Sequence, residues 1–301
     1  MSDSSTGNII CKNVCKSYKN KKILENVNLE LEPGKIYGLI GRNGVGKTTL
    51  LSIMSAQTPA DSGDITIGGE QVWENKRALR NICFSRELNT SDTMGVAALK
   101  VKNYLDAAKI FYPDWDNNMA GKLVDLFGID IKQQISKLSK GMASMITIIV
   151  AMASKARYTF LDEPVAGLDV VARDDFYKLL LDEYMSTGRT FVVSTHIIDE
   201  AADVFEEVII LKDKGIMLKE NTAELLDRAY HVSGKTEVVD DAVSGLKCMH
   251  EENIGRSKGV TILLEEGQSI KANPDISIQK VSLQNLFVAL CGREAGTDDR
   301  L

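Results

Sequence analysis

Nine consecutive residues, Gly41-Arg42-Asn43-Gly44-Val45-Gly46-Lys47-Thr48-Thr49, have the types and spacing needed to hold a polyphosphate. They fill the pattern Gly-x-x-x-x-Gly-Lys-Ser/Thr, which chance would produce in about 1% of chains this long. The glycines let backbone N–H groups curl round phosphate oxygens with no Cβ in the way. Lys47 is placed to reach the β- and γ-phosphates of ATP, and Thr48 to offer its hydroxyl to Mg²⁺. A second chemically capable set closes the run Tyr158-Thr159-Phe160-Leu161-Asp162-Glu163-Pro164. Asp162 can hold Mg²⁺ directly or through water. Glu163, one residue on, can polarise an attacking water as a general base. His196 ends a further apolar run that starts at Thr190, where it could contact a γ-phosphate. Ser139, in Lys137-Leu138-Ser139-Lys140-Gly141-Met142, can cap the helix-compatible run at 143–156, and Gly141 can bring backbone close to an anion.

These groups need elements to present them. Residues 28–32 alternate like a half-buried strand, Pro33-Gly34 is a turn, and residues 35–40 are a short, mostly apolar run suited to a buried parallel strand. Residues 49–54 suit a helix. The phosphate loop therefore sits between strand and helix, with the positive end of the helix aimed at the anion. Residues 88–155 read mainly helical, interrupted at 89–93 and at Pro113. Strand–helix alternation returns over 156–211, and Asp213-Lys214 between two apolar runs signals a hairpin.

The order and spacing of these motifs resemble the ATP-binding subunit of ABC transporters, over about residues 8–220. The resemblance implies a P-loop NTPase (RecA-like) α/β core with a helical subdomain at about 88–155. It makes residues 41–49 the Walker A loop, Asp162 the Walker B aspartate and Glu163 the catalytic glutamate. Residues 166–169, ending in Asp169, match the D-loop, His196 the switch histidine, and residues 138–142 the Leu-Ser-Gly-Gly-Gln signature. Tyr18 falls where the family stacks an aromatic ring on adenine. The family pairs two copies head to tail, so Ser139 and Gly141 would act on the second copy's ATP, each chain serving a separate transmembrane permease. Three departures stand out: Lys140 and Met142 in the signature, no basic residues in the helix after it, and no Q-loop glutamine, the position falling to Glu87 as a metal-site candidate. The signature, residues 111–116 and the ending at 281–290 look like ATPases that serve ABC-2-type permeases, typically bacterial exporters.

Bulk properties narrow the class. The 301 residues carry a net charge of −6, with 44% hydrophobic and 26% charged residues, so there is no basic field for nucleic acid and no such partner is expected. The longest apolar stretch, near 146–152, is too short to span a bilayer. The polar N-terminus and scattered cysteines read as a reduced, cytoplasmic protein; the resemblance implies that it sits peripherally on the inner face of the membrane through its permease. A small α+β accessory domain is expected over 221–292, with a capped helix at 222–226, β-like runs at 236–239, 259–264 and 276–278, and a helix at 282–290. A frayed tail follows at 293–301. Two other readings stay open: a soluble ABC ATPase working on nucleic acid or ribosomes, and a nucleotide-dependent regulatory module that does not turn over.

Overall fold

The computed structural model describes residues 7–88, 90 and 95–292. Parts of the expected break at 89–93, the start of the polar N-terminus and the expected tail lie outside those residues. The described chain divides into two compact units on either side of Lys219 and Glu220.

The first unit carries two sheets. In one, β1 (Ile9–Tyr18) and β2 (Lys21–Leu31) form an antiparallel hairpin. The other holds β3 (Ile36–Ile40), whose five residues are all buried. The phosphate-loop helix α1 (Lys47–Met54) follows β3. Next, β4 (Ser62–Ile67) pairs with β1, and β5 (Glu70–Gln71) with β4. The short α2 (Lys76–Leu79) leads into β6 (Ile82–Ser85), a strand of the second sheet. Three helices come next, α3 (Val101–Phe111), α4 (Asn117–Leu126) and α5 (Lys140–Ala153). The chain returns as β7 (Tyr158–Asp162), α6 (Val170–Thr187), β8 (Thr190–Thr195), α7 (Ile198–Ala201), β9 (Glu207–Lys212) and β10 (Gly215–Asn221).

The second sheet has the order β10-β9-β3-β8-β7-β6, with β6, β7, β8, β3 and β9 parallel. The connection leaving β3 runs toward β6, whereas the one leaving its neighbour β8 steps over β3 to β9, so the two connections diverge at the strand that feeds the phosphate loop. Open parallel sheets bind ligands at such a switch point, beyond the carboxyl ends of the strands. Leu50, Leu51 and Met54 of α1 pack with Leu24 and Leu31 of β2 and with Phe160 and Val192 of the parallel sheet in one buried cluster. Core formation thus fixes the helix that carries Lys47 and Thr48. Between β9 and β10, Asp213 and Lys214 both have positive φ, the pair of left-handed residues that a two-residue hairpin turn requires.

A buried cation ties the helical segment to this sheet. All five N–H donors of the Arg189 guanidinium are used. Nε donates to the Ala156 carbonyl at 2.7 Å, Nη1 to Met152 O at 3.1 Å and to Glu183 at 2.8 Å, and Nη2 to Ala151 O at 2.9 Å and Thr159 Oγ1 at 2.6 Å. It therefore joins the end of α5, the strand β7 and the end of α6. Burial pushes its proton affinity down, and the hydrogen bond and charge of Glu183 oppose that shift. Lys155 also reaches Glu183, at 2.8 Å.

The second unit is an antiparallel sheet, order β12-β13-β11-β14. Its elements run α8 (Thr222–Asp227), β11 (Ala229–Lys235), α9 (Thr236–Ala242), β12 (Cys248–Ile254), β13 (Ser257–Leu263), β14 (Ile276–Lys280) and α10 (Leu283–Cys291), the last capped by Ser282. One expectation is overturned here. Residues 236–239 form the first turn of α9, not a strand, because Val239 and Val243 pack on Val232, Val260 and Ile262 of the sheet. That burial outweighs the modest β preference of two valines.

Removing the counter-ion of Arg189 by Glu183→Ala is expected to cost about 3–5 kcal/mol, because it leaves a buried guanidinium without its carboxylate. Urea unfolding of the full chain reads this as a lowered midpoint; an unchanged midpoint would show that the carbonyls and Thr159 suffice.

Candidate active site

The phosphate loop leaves β3 and closes with Gly44 and Gly46 in left-handed conformations, φ 76° and 118°. A Cβ on Gly46 would lie 2.9 Å from Leu24 Cδ2, so both conformation and space demand glycine there. The helix α1 that follows has no side-chain cap and no acidic residue in its first turn. Its first N–H groups are thereby left for an anion. Lys47 is almost fully buried, and its Nζ donates to the Gly41 carbonyl at 2.8 Å.

Asp162, at the end of β7, is gripped from two sides. Its Oδ2 accepts from Thr48 Oγ1 at 2.7 Å, and its Oδ1 from Ser194 Oγ at 2.6 Å. Ser194 also fixes the next residue: the Glu163 N–H approaches its carbonyl at 3.1 Å and its hydroxyl at 3.0 Å. Glu163 itself sits at φ 50°, a left-handed conformation unfavourable for a side chain with Cβ and more so before a proline. Such strain costs on the order of 1–3 kcal/mol and persists where the surroundings over-determine it. It turns the carboxylate off the line of the strand. One oxygen of Glu163 then lies 2.6 Å from His196 Nδ1 and the other 3.6 Å from Lys47 Nζ. Lys47, Thr48, Asp162, Glu163 and His196, distant in sequence, thus meet in one place. His196 is half exposed, at the open side of this cluster.

The pairing of Thr48 with Asp162 fits a hard divalent cation. Both present oxygen donors, they already lie within hydrogen-bond reach, and the second Asp162 oxygen is oriented by Ser194. Glu87 follows β6 and lines the same groove as Thr48 and Asp162, but its carboxylate pairs with Lys140 at 3.1 Å. Burial pushes Tyr104 up to about 12 and raises Tyr112 and Cys83, so these groups stay neutral beside the groove.

The signature segment starts α5 three residues earlier than the sequence pattern suggests, so residues 140–142 form its first turn. Ser139 Oγ accepts from the Met142 N–H at 3.2 Å, a helix N-cap. Gly141 is pressed against the loop after Glu163: a Cβ on it would lie 2.7 Å from the Gly167 carbonyl. Ser144 Oγ donates to the Ala166 carbonyl at 2.7 Å across the same seam. Asp169 caps α6, accepting from Ala172 N at 2.9 Å. Asn43 and Thr49 lie on the phosphate loop and in the first turn of α1. Tyr18 stands apart, half exposed at the end of β1, with Lys16 Nζ 5.5 Å from its ring centroid.

A glycine-lined loop on an open helix terminus, a buried lysine, and an acid pair at the end of the neighbouring strands define a P-loop ATPase. Over residues 24–166 the chain matches the family described as ABC transporter. The matched stretch takes in the phosphate loop and the acid pair, and with them ATP binding and hydrolysis. Among its relatives, the ABC transporter ATP-binding protein YtrB of Bacillus subtilis is 27% identical over 201 residues, 67% of this chain and 68% of that protein. The petrobactin import ATP-binding protein YclP of the same species is 29% identical over 251 residues, 78% of this chain and 97% of its own. Two solved structures share the fold. One is an ATP-binding subunit of an ABC transporter (TM-score 0.63, 21% identity, 73% of this chain and 92% of that one). The other is a dimeric ATP-binding cassette in a post-hydrolysis state with ADP and Pi (TM-score 0.62, 23% identity, 71% and 98%).

Ser194 is a positioning residue that motif spacing does not mark. Its only sequence signal is its place two residues before His196, at the end of a buried strand. Ser194→Ala frees one Asp162 oxygen and removes one of two acceptors from the Glu163 amide. It is expected to lower ATP turnover about tenfold, with ATP affinity changed by less than about threefold, since each lost buried hydrogen bond costs about 1–3 kcal/mol. Steady-state kinetics beside ATP titration checks this; equal loss in both would place Ser194 in nucleotide binding itself.

Proposed function

We propose that the chain binds ATP·Mg²⁺ at residues 41–49, closes on a second copy of itself, and uses hydrolysis to drive a separate transmembrane permease. The observation that carries this reading is the convergence of Lys47, Thr48, Asp162, Glu163 and His196 at the carboxyl ends of β3, β7 and β8.

The residues divide the work as follows. The open turn at Gly44, Gly46 and the first amides of α1 cradles the phosphates. Lys47 leaves the Gly41 carbonyl for the β- and γ-phosphates, and Tyr18 stacks on the adenine. Thr48 and Asp162 would hold Mg²⁺, with Glu87 on the same groove; such an ion would supply neutralisation of charge on the phosphates. Glu163 takes a proton from the attacking water. His196 steadies the Glu163 carboxylate and senses the γ-phosphate. In a head-to-tail pair, Ser139 and Gly141 of one copy face the nucleotide of the other, with Asp169 beside them. Such a pair is isologous, with two composite sites.

Among the described residues, no helix is long and apolar enough to cross a membrane, so the pore belongs to another chain in this reading. A cytoplasmic position on the inner membrane face follows from it. The similarity of residues 138–142, 111–116 and 281–290 to ATPases serving ABC-2-type permeases supports an exporter. On the helical segment, Ile110, Phe111 and Leu126 are strongly exposed apolar side chains available to such a permease.

Lys47→Ala is expected to weaken ATP binding at least tenfold by calorimetry, and unchanged affinity would remove the phosphate loop from the site. Glu163→Gln is expected to bind ATP, abolish turnover and accumulate a dimer in light scattering. Wild-type turnover per chain should rise with protein concentration; a flat specific activity would mean that each chain works alone.

A further inference from the structure

Glu87 and Lys140 are two of the places where this chain departs from the family pattern, and they touch. Glu87 stands two residues beyond β6, and Lys140 is the first residue of α5, 53 positions later in the sequence. Their charged ends lie 3.1 Å apart with about half of each side chain exposed. The stem of Lys140 is fixed independently: a Cβ on Gly167 would meet Lys140 Cγ at 2.8 Å, so that stem lies on the loop just after Glu163. The ammonium therefore spans from the Glu163 loop to the wall of the groove that Thr48 and Asp162 line.

Charge explains why the two go together. Asp162 already lines the groove, and Glu87 adds a second carboxylate to its lining. Carboxylates that share a site raise its affinity for a divalent cation and repel one another and any phosphate. An ammonium in contact with Glu87 cancels that added charge. Arg86, Arg80 and Lys76 line the same groove, but no ion pair joins them to Glu87, whereas Lys140 is in contact. The family's glutamine and glycine are neutral at these two positions, and the Glu87–Lys140 pair is neutral in sum.

We infer that Lys140 is a positioning and charge-setting residue for Glu87, and that the pair together tunes how the ATP site takes up Mg²⁺. This rests on reading the groove as the ATP·Mg²⁺ site. Exposed ion pairs add little to folding stability, so the effect belongs in metal affinity and leaves the melting temperature alone.

The test is an isosteric cycle in the non-hydrolysing Glu163→Gln background, which allows binding to be measured without turnover. Lys140→Met keeps the stem and removes the charge; Glu87→Gln keeps the shape and removes the carboxylate. Calorimetric Mg²⁺ titrations with ATP present give the half-saturating Mg²⁺ concentration for each. Lys140→Met is expected to lower it about three- to tenfold, by unmasking a carboxylate. Glu87→Gln is expected to raise it by a similar factor, leaving an unbalanced ammonium. The double variant should return to within about twofold of the parent, and Lys140→Arg should match the parent throughout. Shifts of the same sign, or none, with ATP still bound would overturn this inference and leave the proposed function standing. Failure of the parent chain to bind ATP would overturn both.

Discussion

The carboxylate of Asp162 holds the site together. Its two oxygens accept hydroxyl hydrogens from Thr48 on α1 and Ser194 on β8, while its backbone belongs to β7. Three elements, two of them more than a hundred residues along the chain from the third, are thereby clamped at one point, at the carboxyl ends of parallel strands. The strand order makes this geometry available: β3 lies beside β8, and β8 beside β7, so the phosphate loop and the acid pair emerge on the same edge. The apolar runs of these strands drive the sheet together. The carboxylate then sets how its ends are aligned.

The strain at Glu163 has meaning against that clamp. The residue is held from behind by two contacts to Ser194 and from ahead by Pro164, and its left-handed backbone swings the carboxylate between His196 and Lys47. A carboxylate on an extended strand residue would stand roughly perpendicular to the sheet face instead. Packing elsewhere in the domain, including the five-donor arrangement around Arg189, makes such a conformation tolerable. Removing strain here would trade aim for stability.

Much of this was legible in the sequence because its signals are local. The runs at 35–40, 158–162 and 190–195 are short and apolar on both faces, as strands buried from both sides must be. Ser139 and Ser282 sit just before their helices, and the Asp213-Lys214 turn shows between two apolar strands. The phosphate loop advertises itself because its glycines answer a backbone requirement within nine residues. What stayed hidden depends on partners far along the chain. Nothing near Arg189 announces that it will bind carbonyls of residues 151, 152 and 156. Ser194 looks like any strand serine until Asp162 and the Glu163 amide arrive beside it. Strands β11 and β12 lack clear alternation, and Thr236-Glu237-Val238-Val239 turned helical once a sheet offered its face to Val239. Those outcomes are decided by tertiary burial, which local propensity does not encode.

The backbone-to-backbone seam between Gly141 and Gly167 has a consequence for how two copies would behave together. It leaves no slack: the first turn of α5 cannot advance toward Gly167, because even one added carbon would collide with a carbonyl oxygen. Pressure applied to the outer side of that turn is therefore passed as displacement to the loop four residues beyond the strained Glu163. In the head-to-tail pair proposed above, the outer side is where a neighbour's nucleotide would press. Occupancy of one site would then be felt at the other through a rigid mechanical contact inside a single chain, giving cooperativity between the sites without a dedicated signalling element.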